Sequence, residues 1–431
     1  MTTTFVATLA IAFAAPARAE TDPLAALLAR TDAIARQVAK QRGLPLKKKV
    51  EQEVVDRDEL RARLLKLAAE QKTQSETRAE GLALARWGMI PLDTDYLQLM
   101  VDLLTDQIAG YYDPDTKKLT ISKSAGADPE WAEMVLAHEL DHALQDQTYD
   151  LDKFEDLPDS EGDAALARQA LVEGDGVALM IELMLARKKL DPPWHDPTVA
   201  RELSVAMALP SGDLLDKAPL AVREALLFPY RGGFTFVAAL RHKQPWSAVD
   251  GAFKRPPRST EQILHPDKYK ADEKPIVVDI KVPAALADYH IAHSSVWGEL
   301  GFSLFVRSGG LDDRGGTLAG DGWGGDRVIT LTKGDDTRPE HAIGIARFEW
   351  DSEADAFEAH EAAVRALDTA IVGGTAEHTE TRTRWLALDG TATVAERRGT
   401  STVIAHGVPV RLLDAVQGEL WTISSIAEAK K

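Results

Sequence analysis

The sequence predicts an α+β protein. Its larger part is mainly helical with a small sheet, and a smaller α+β domain follows. Two observations support this. From Pro23 to Tyr269, apolar residues recur at helical spacing over long stretches, interrupted by one hairpin signal. Beyond Pro283 the order becomes β-β-α-β-β-β-α, with short apolar runs around one amphipathic helix.

Residues 23–42 read as a helix ending near Gly43-Leu44-Pro45. Residues 48–55 are short and close on a β-branched pair, which reads as a strand. Asp58 is placed to cap a helix to about residue 72, with Glu59 in its first turn. Residues 75–87 form a second helical stretch, stopped by Pro91, and residues 95–108 a third. Gly110-Tyr111-Tyr112 and Leu119-Thr120-Ile121-Ser122 flank a hairpin turn built on Asp113-Pro114-Asp115. Helices follow over 128–147 and, past an Asp-rich loop, over 160–188. A further helical portion reaches Tyr269, and the stretch 271–283, charged and then strand-like, reads as a linker. In the last part, 327–333, 342–350, 383–388, 392–397 and 402–405 read as strands, and 351–370 and 410–421 as helices.

Composition narrows the chemistry. Hydrophobic residues are 45% and charged residues 27% of 431, which excludes disorder, collagen and coiled coil for the bulk of the chain. Lys+Arg number 50 and Asp+Glu 68, for a net charge of −18. Nucleic acid and anionic membrane surfaces, both bound by basic faces, are therefore not expected partners. There is no cysteine, so disulfides, thiol nucleophiles and iron–sulfur clusters are excluded, and any metal must be held by His, Asp or Glu. Phe5 to Ala15 is apolar except for Thr8, too short to span a bilayer but suited to a signal peptide. Ala17-Arg18-Ala19 offers small residues for cleavage after Ala19. The segment before it, Met1-Thr2-Thr3-Thr4, lacks the usual Lys or Arg, and an amphipathic N-terminal helix is the other reading. No later stretch approaches the length of a membrane span, so the mature chain is expected to be exported, periplasmic or extracellular, without stable membrane insertion.

The chemistry concentrates in Ala137-His138-Glu139-Leu140-Asp141-His142-Ala143-Leu144, an HExxH on a predicted helix. At about 100° per residue, His142 lies about 40° round from His138 and one turn along, so both imidazoles reach one ion. Glu139 is placed to touch a water on that ion rather than the ion itself. The plainer reading is two surface histidines on an acidic helix. A third ligand is available downstream in Leu171-Val172-Glu173-Gly174-Asp175-Gly176. Glu173 sits among Ala, Leu and Val residues on a helix that reads as mostly buried, where a carboxylate needs a partner or a cation. Asp175 is the alternative ligand.

HExxH followed by L-x-E-G-x-[AG] on a later helix resembles the gluzincin branch of zinc metallopeptidases. The resemblance implies one Zn²⁺ held by His138, His142 and Glu173. It also implies that Glu139, as general base, activates a zinc-bound water against a peptide carbonyl. Phe228-Pro229-Tyr230-Arg231-Gly232-Gly233-Phe234 resembles the P-Y-x-x-G segment of aminopeptidase-type gluzincins, which would make Tyr230 the oxyanion donor. A turn or packing tyrosine is the alternative, and His265 in Ser259-Thr260-Glu261-Gln262-Ile263-Leu264-His265-Pro266 is the competing electrophile. By the same resemblance, Leu119 to Ser122 would be an edge strand that pairs with extended substrate. The order of motifs is similar to that of uncharacterised secreted bacterial zincin-like proteins. Two departures stand out: Asp141 is charged where the pattern prefers an uncharged residue, and the G-x-M-E-N segment of aminopeptidases is absent. Aminopeptidase activity is therefore not implied.

The resemblance covers about residues 45–270 and divides the chain into a signal peptide (1–19), a zincin-like metallopeptidase domain (20–283) and an accessory α+β domain (284–431). The expected partner is a peptide or protein substrate. A non-catalytic envelope module of zincin shape, or a zinc hydrolase of a non-peptide bond, are the competing expectations. His290 and His293, three apart, would share a face on a helix, but no carboxylate pattern accompanies them. Gly322-Trp323-Gly324-Gly325-Asp326-Arg327 reads as a tight turn with a packed Trp, and Asp312, Asp313 and Asp321 match no calcium loop.

Overall fold

The structure, a computed structural model, describes residues 7–9, 23–71, 74–123, 128–192, 194, 198, 202–203, 212–371 and 374–427. In the N-terminal part these form β1 (Ala7–Leu9), α1 (Pro23–Leu28), α2 (Thr31–Arg42), β2 (Glu51–Val55), α3 (Arg57–Gln71), α4 (Gln74–Arg86), α5 (Tyr96–Gln107), β3 (Ile108–Asp113), β4 (Lys118–Ser122), α6 (Pro129–Tyr149), α7 (Leu151–Glu155) and α8 (Gly162–Arg187). Then come α9 (Asp213–Lys217), α10 (Leu220–Arg241), α11 (Ser247–Lys254), α12 (Thr260–Leu264) and α13 (Pro266–Lys270). The C-terminal part has β5 (Val277–Ile280), β6 (Tyr289–Ser295), α14 (Gly298–Ser308), α15 (Asp313–Gly320), β7 (Trp323–Lys333), β8 (Ile343–Trp350) and α16 (Glu353–Ala370). It ends with β9 (Thr375–His378), β10 (Arg382–Leu386), β11 (Thr391–Arg398), β12 (Ser401–Pro409), α17 (Leu413–Glu419) and β13 (Ser424–Ala427). The fold is α+β in two parts, as the sequence predicts. The proposed cleavage point after Ala19 lies outside the described residues.

Helix ends follow local chemistry. Asp128 accepts from the backbone N–H groups of Glu130 and Trp131 and places Pro129 at the first turn of α6. Asp95 caps α5 through the N–H of Gln98, and Ser352 caps α16 through that of Asp355. Gly43, at φ 83°, closes α2 in the left-handed conformation that only glycine adopts freely. The cap of α3 is Asp56, which accepts from Glu59, and not Asp58, which sits inside the first turn. The expected helix over 23–42 is two helices, parted at Ala29 and Arg30.

The small sheet has the order β1-β3-β4-β2, with β2 parallel to β4 and the other pairs antiparallel. This corrects the expectation that Leu119 to Ser122 offer a free edge. β4 is hydrogen-bonded on both sides, because the strand at 51–55 returns to pair with it. The larger sheet is antiparallel throughout, in the order β6-β7-β8-β12-β11-β10-β9. Both its faces are covered. Ala346, Phe348 and Ile404 face the main core with Phe302, whereas Ile345, Val403 and Ala405 face a second cluster with Val278, Leu413 and Val416. The strand-like half of 271–283 is β5, as the sequence reads, and it pairs with β13 far along the chain. His290 and His293 lie on strand β6, not on a helix, so the spacing argument for a metal pair does not apply. The polar sequence of β6 gives no strand alternation, and only pairing with β7 reveals it.

The main core joins the two parts, with Ala170, Leu171, Phe234 and Phe236 from the helical part and Phe302 and Phe348 from the sheet domain. Polar clamps reinforce it. Buried Asp163, at the start of α8, accepts from the N–H and hydroxyl of Thr260, and buried Asp326 accepts from the N–H groups of Trp297 and Gly298.

Within the helical part, α8 and α10 approach backbone to backbone. A Cβ on Gly174 would lie 2.1 Å from the carbonyl carbon of Gly233, and one on Gly233 would lie 1.9 Å from the Ala170 oxygen. The segment 228–234, which reads partly as a turn, is therefore the middle of α10, with Pro229 inside the helix. Its glycines are there for contact. Gly233→Ala is expected to lower stability by about 1–3 kcal/mol through this overlap. Gly251→Ala on α11, where a Cβ meets nothing within 4 Å, is expected to raise it by about 0.5–1 kcal/mol. Denaturant midpoints of the two variants measure the contrast.

Candidate metal centre

α6 is buried almost all round: from Met134 to Asp146 every residue is in the interior. It lies between β3 on one side and α8 on the other. Ala137, Leu140, Ala143 and Leu144 pack with Tyr112, Leu119 and Ile121 of the sheet and Leu179 and Leu183 of α8. The same burial forces His138, Glu139, Asp141 and His142 out of water, each with 0% exposure.

These side chains find partners from other elements. The Nε2 atoms of His138 and His142 lie 2.9 Å apart, and Glu173 Oε2 of α8 is 3.1 Å from the first and 3.5 Å from the second. A tetrahedral ion with bonds of about 2.0–2.1 Å needs its ligand atoms about 3.3 Å apart. The three observed separations match that spacing within about 0.5 Å. His138, His142 and Glu173 form a group that could hold a metal ion. The donor set of two imidazoles and a carboxylate suits zinc.

Charge supports the fit. Glu139, Asp141, Glu155, Glu173 and Asp175 are all buried here, and the buried guanidinium of Arg42 faces only Asp175 and Asp141 among them. Glu173 Oε1 and Glu139 Oε1 have no hydrogen-bond partner. Buried carboxylates left so are costly, and a cation relieves them. Burial opposes a charge on His142, yet Glu173 and Glu139 outweigh it and push its pKa up to about 10. Burial works against Glu173 as well, and His142 and His138 overcome it to hold the carboxyl down at about 2. Burial, with the charge of Glu173 beside it, pushes Glu139 up to about 8 against the pull of His142 and the Tyr112 N–H.

Glu139 is aimed by the sheet. One oxygen, Oε2, accepts from the backbone N–H of Tyr112 on β3 at 2.8 Å, which leaves Oε1 free. The alternative ligand is ruled out by its own pairing. Asp175 grips Arg42 through both oxygens, at 2.7 and 2.9 Å, and Arg42 reaches on to Asp250.

Sequence reasoning missed what stands behind the ligands. Gln145 Nε2 faces three acceptors, Asp141 Oδ2, Asp175 Oδ2 and the Val172 carbonyl, so its oxygen is the end that meets His142 Nδ1, at 2.9 Å. His142 therefore carries its proton on Nδ1 and offers Nε2 to the ion. The signal was present: Gln145 lies seven residues after His138, on the same helical stripe. Asp141, the departure from the zincin pattern, is the acceptor that helps hold Gln145. Gly176 makes room for His138, since a Cβ there would lie 2.7 Å from Cε1 of the ring. Arg42 had no local signal, because its partners come from α8 and α11.

Tyr230 is buried on α10, the helix packed against α8. His265 lies between α12 and α13 with Nε2 bonded to Glu299 at 2.9 Å, in the contact with the sheet domain. A second acidic group, Glu261, Glu273 and Asp351, already holds the ammonium of Lys268 at 2.6, 2.9 and 2.6 Å. Asp312 caps α15 and Asp313 pairs with Arg307, so neither is free for calcium.

Residues 288–417, within the C-terminal sheet domain, match a family described as a domain of unknown function (DUF8575). No curated protein and no solved structure matches the chain.

If the group holds a metal ion, Gln145→Leu is expected to weaken its binding roughly 10–100-fold while the fold persists. Gly176→Ala, which drives a methyl against the His138 ring, is expected to weaken it at least as much. Competition with a chromophoric chelator, alongside far-UV circular dichroism, reads both.

Proposed function

We propose that this chain is a zinc-dependent hydrolase of the gluzincin kind, an exported metallopeptidase acting on peptide or protein. The convergence of His138, His142 and Glu173, from two helices, on a point small enough for one ion carries the reading. Glu139 beside it, tethered by one oxygen with the other free, adds the base.

Zinc held by this trio would polarise a substrate carbonyl and acidify water. The chain's own groups do the rest. Gln145 keeps His142 in the tautomer that binds. Glu139, fixed by the Tyr112 N–H, takes a proton from water through Oε1 and returns it to the leaving amine. Tyr230 would donate to the developing oxyanion, a contact worth about 3 kcal/mol where such donors are removed.

A second reading, a zinc that only braces α6 against α8, draws on one observation: all four residues have 0% exposure. The two readings part at Glu139. Glu139→Gln is expected to retain stoichiometric zinc and lose hydrolysis of a peptide library, whereas a bracing site would have no hydrolysis to lose. His142→Ala is expected to lose the metal. Elemental analysis, then digestion with and without chelator, tests both; chelator-resistant cleavage, or full activity in Glu139→Gln, would refute the peptidase.

A further inference from the structure

Away from the metal centre, a cavity of about 560 Å³ lies between the end of α4 and the sheet domain. Trp87, Ile90, Phe305 and Ile371 give it apolar walls, and Leu92 and Leu388, 55% and 83% exposed, stand at its margin. Arg86 is set into this wall. Its Nη2 donates to His406 Nε2 at 2.8 Å, and its Nη1 reaches the Pro339 and Glu340 carbonyls only at 3.5 Å. Its Nε has no partner. Among the described residues no carboxylate forms an ion pair with it. His406 is the acceptor, because a guanidinium has only donors, and its other nitrogen is occupied by Thr393 Oγ1 at 2.8 Å.

The Arg86 side chain is half-buried, and burial pushes its pKa down to about 10, which the charges of Asp389 and Glu340 offset only in part. Yet the fold makes a slot for it. Gly407, at φ +78°, stands where a Cβ would lie 2.6 Å from the guanidinium carbon. Two further lining residues carry buried donors without partners, Trp87 Nε1 and Ser308 Oγ. Donors in excess, a cation with no direct ion pair among the described residues and an apolar chamber describe the complement of an amphipathic anion. Two carboxylates also line the cavity, Glu340 and Asp389, the latter holding Thr391. They favour a singly charged head over a doubly charged one.

We propose that this cavity binds a carboxylate carried on an apolar body, with the head group paired to Arg86. The site is separate from the metal centre, and its test reads binding rather than hydrolysis.

Decanoate, decanol and decyl phosphate, titrated calorimetrically into the full chain, are the probes. Decanoate is expected to bind one to one, at least tenfold tighter than decanol. Arg86→Met is expected to lose at least tenfold in decanoate affinity. It should still fold, since it replaces a half-buried charge with an apolar chain. Ala370→Trp, which fills the cavity and leaves Arg86 in place, is expected to abolish binding and serves if Arg86→Met does not fold. Equal affinity for decanoate and decanol, unchanged affinity in either folded variant, or no saturable decanoate binding overturns the proposal. Tighter binding of decyl phosphate overturns the carboxylate assignment.

Discussion

Negative charge buried in the helical part is the constraint around which the site is arranged. Glu139, Asp141, Glu173 and Asp175 are carried fully inside by two helices, where a carboxylate is costly unless it finds a partner. The fold answers in two ways. Arg42 crosses from α2 to neutralise Asp175. Glu173 instead meets the two imidazoles of α6, an arrangement that a divalent ion completes.

The glycines explain why that meeting is possible. Gly174 lets α8 touch α10 through its backbone, which fixes the depth of α8, and Gly176 clears the His138 ring on the opposite side. Glu173 sits between these two positions. The run Glu173-Gly174-Asp175-Gly176 thus alternates ligand, contact, charge anchor and clearance, four duties that a helix distributes to different faces.

The sheet domain is joined to the helices through shared core and buried acids. The Thr260 hydroxyl, which donates to Asp163, accepts from the N–H of Leu300 across the junction, and Lys268 gathers Glu261, Glu273 and Asp351. Burial pushes Asp163 up to about 8 and Asp326 up to about 6. The Arg86 cavity lies along the same junction, so an occupant would contact both parts at once.

Local chemistry let the sequence determine much of this protein. Capping and periodicity placed α5, α6, α8 and α16 within a few residues, because caps and helical stripes depend on neighbours along the chain. The i, i+4 histidines and the buried environment of Glu173 named the three side chains that come together, for the same reason. Tertiary structure decided what distant segments impose on each other. It moved β4 to the interior, set Gly233 against the backbone of α8, paired β5 with β13 and committed Asp175 to Arg42. None of these is visible locally. A strand's edge, a glycine's contact and a carboxylate's partner are each defined by residues far along the chain, 150 positions away for Val277 and Ala427 of β5 and β13.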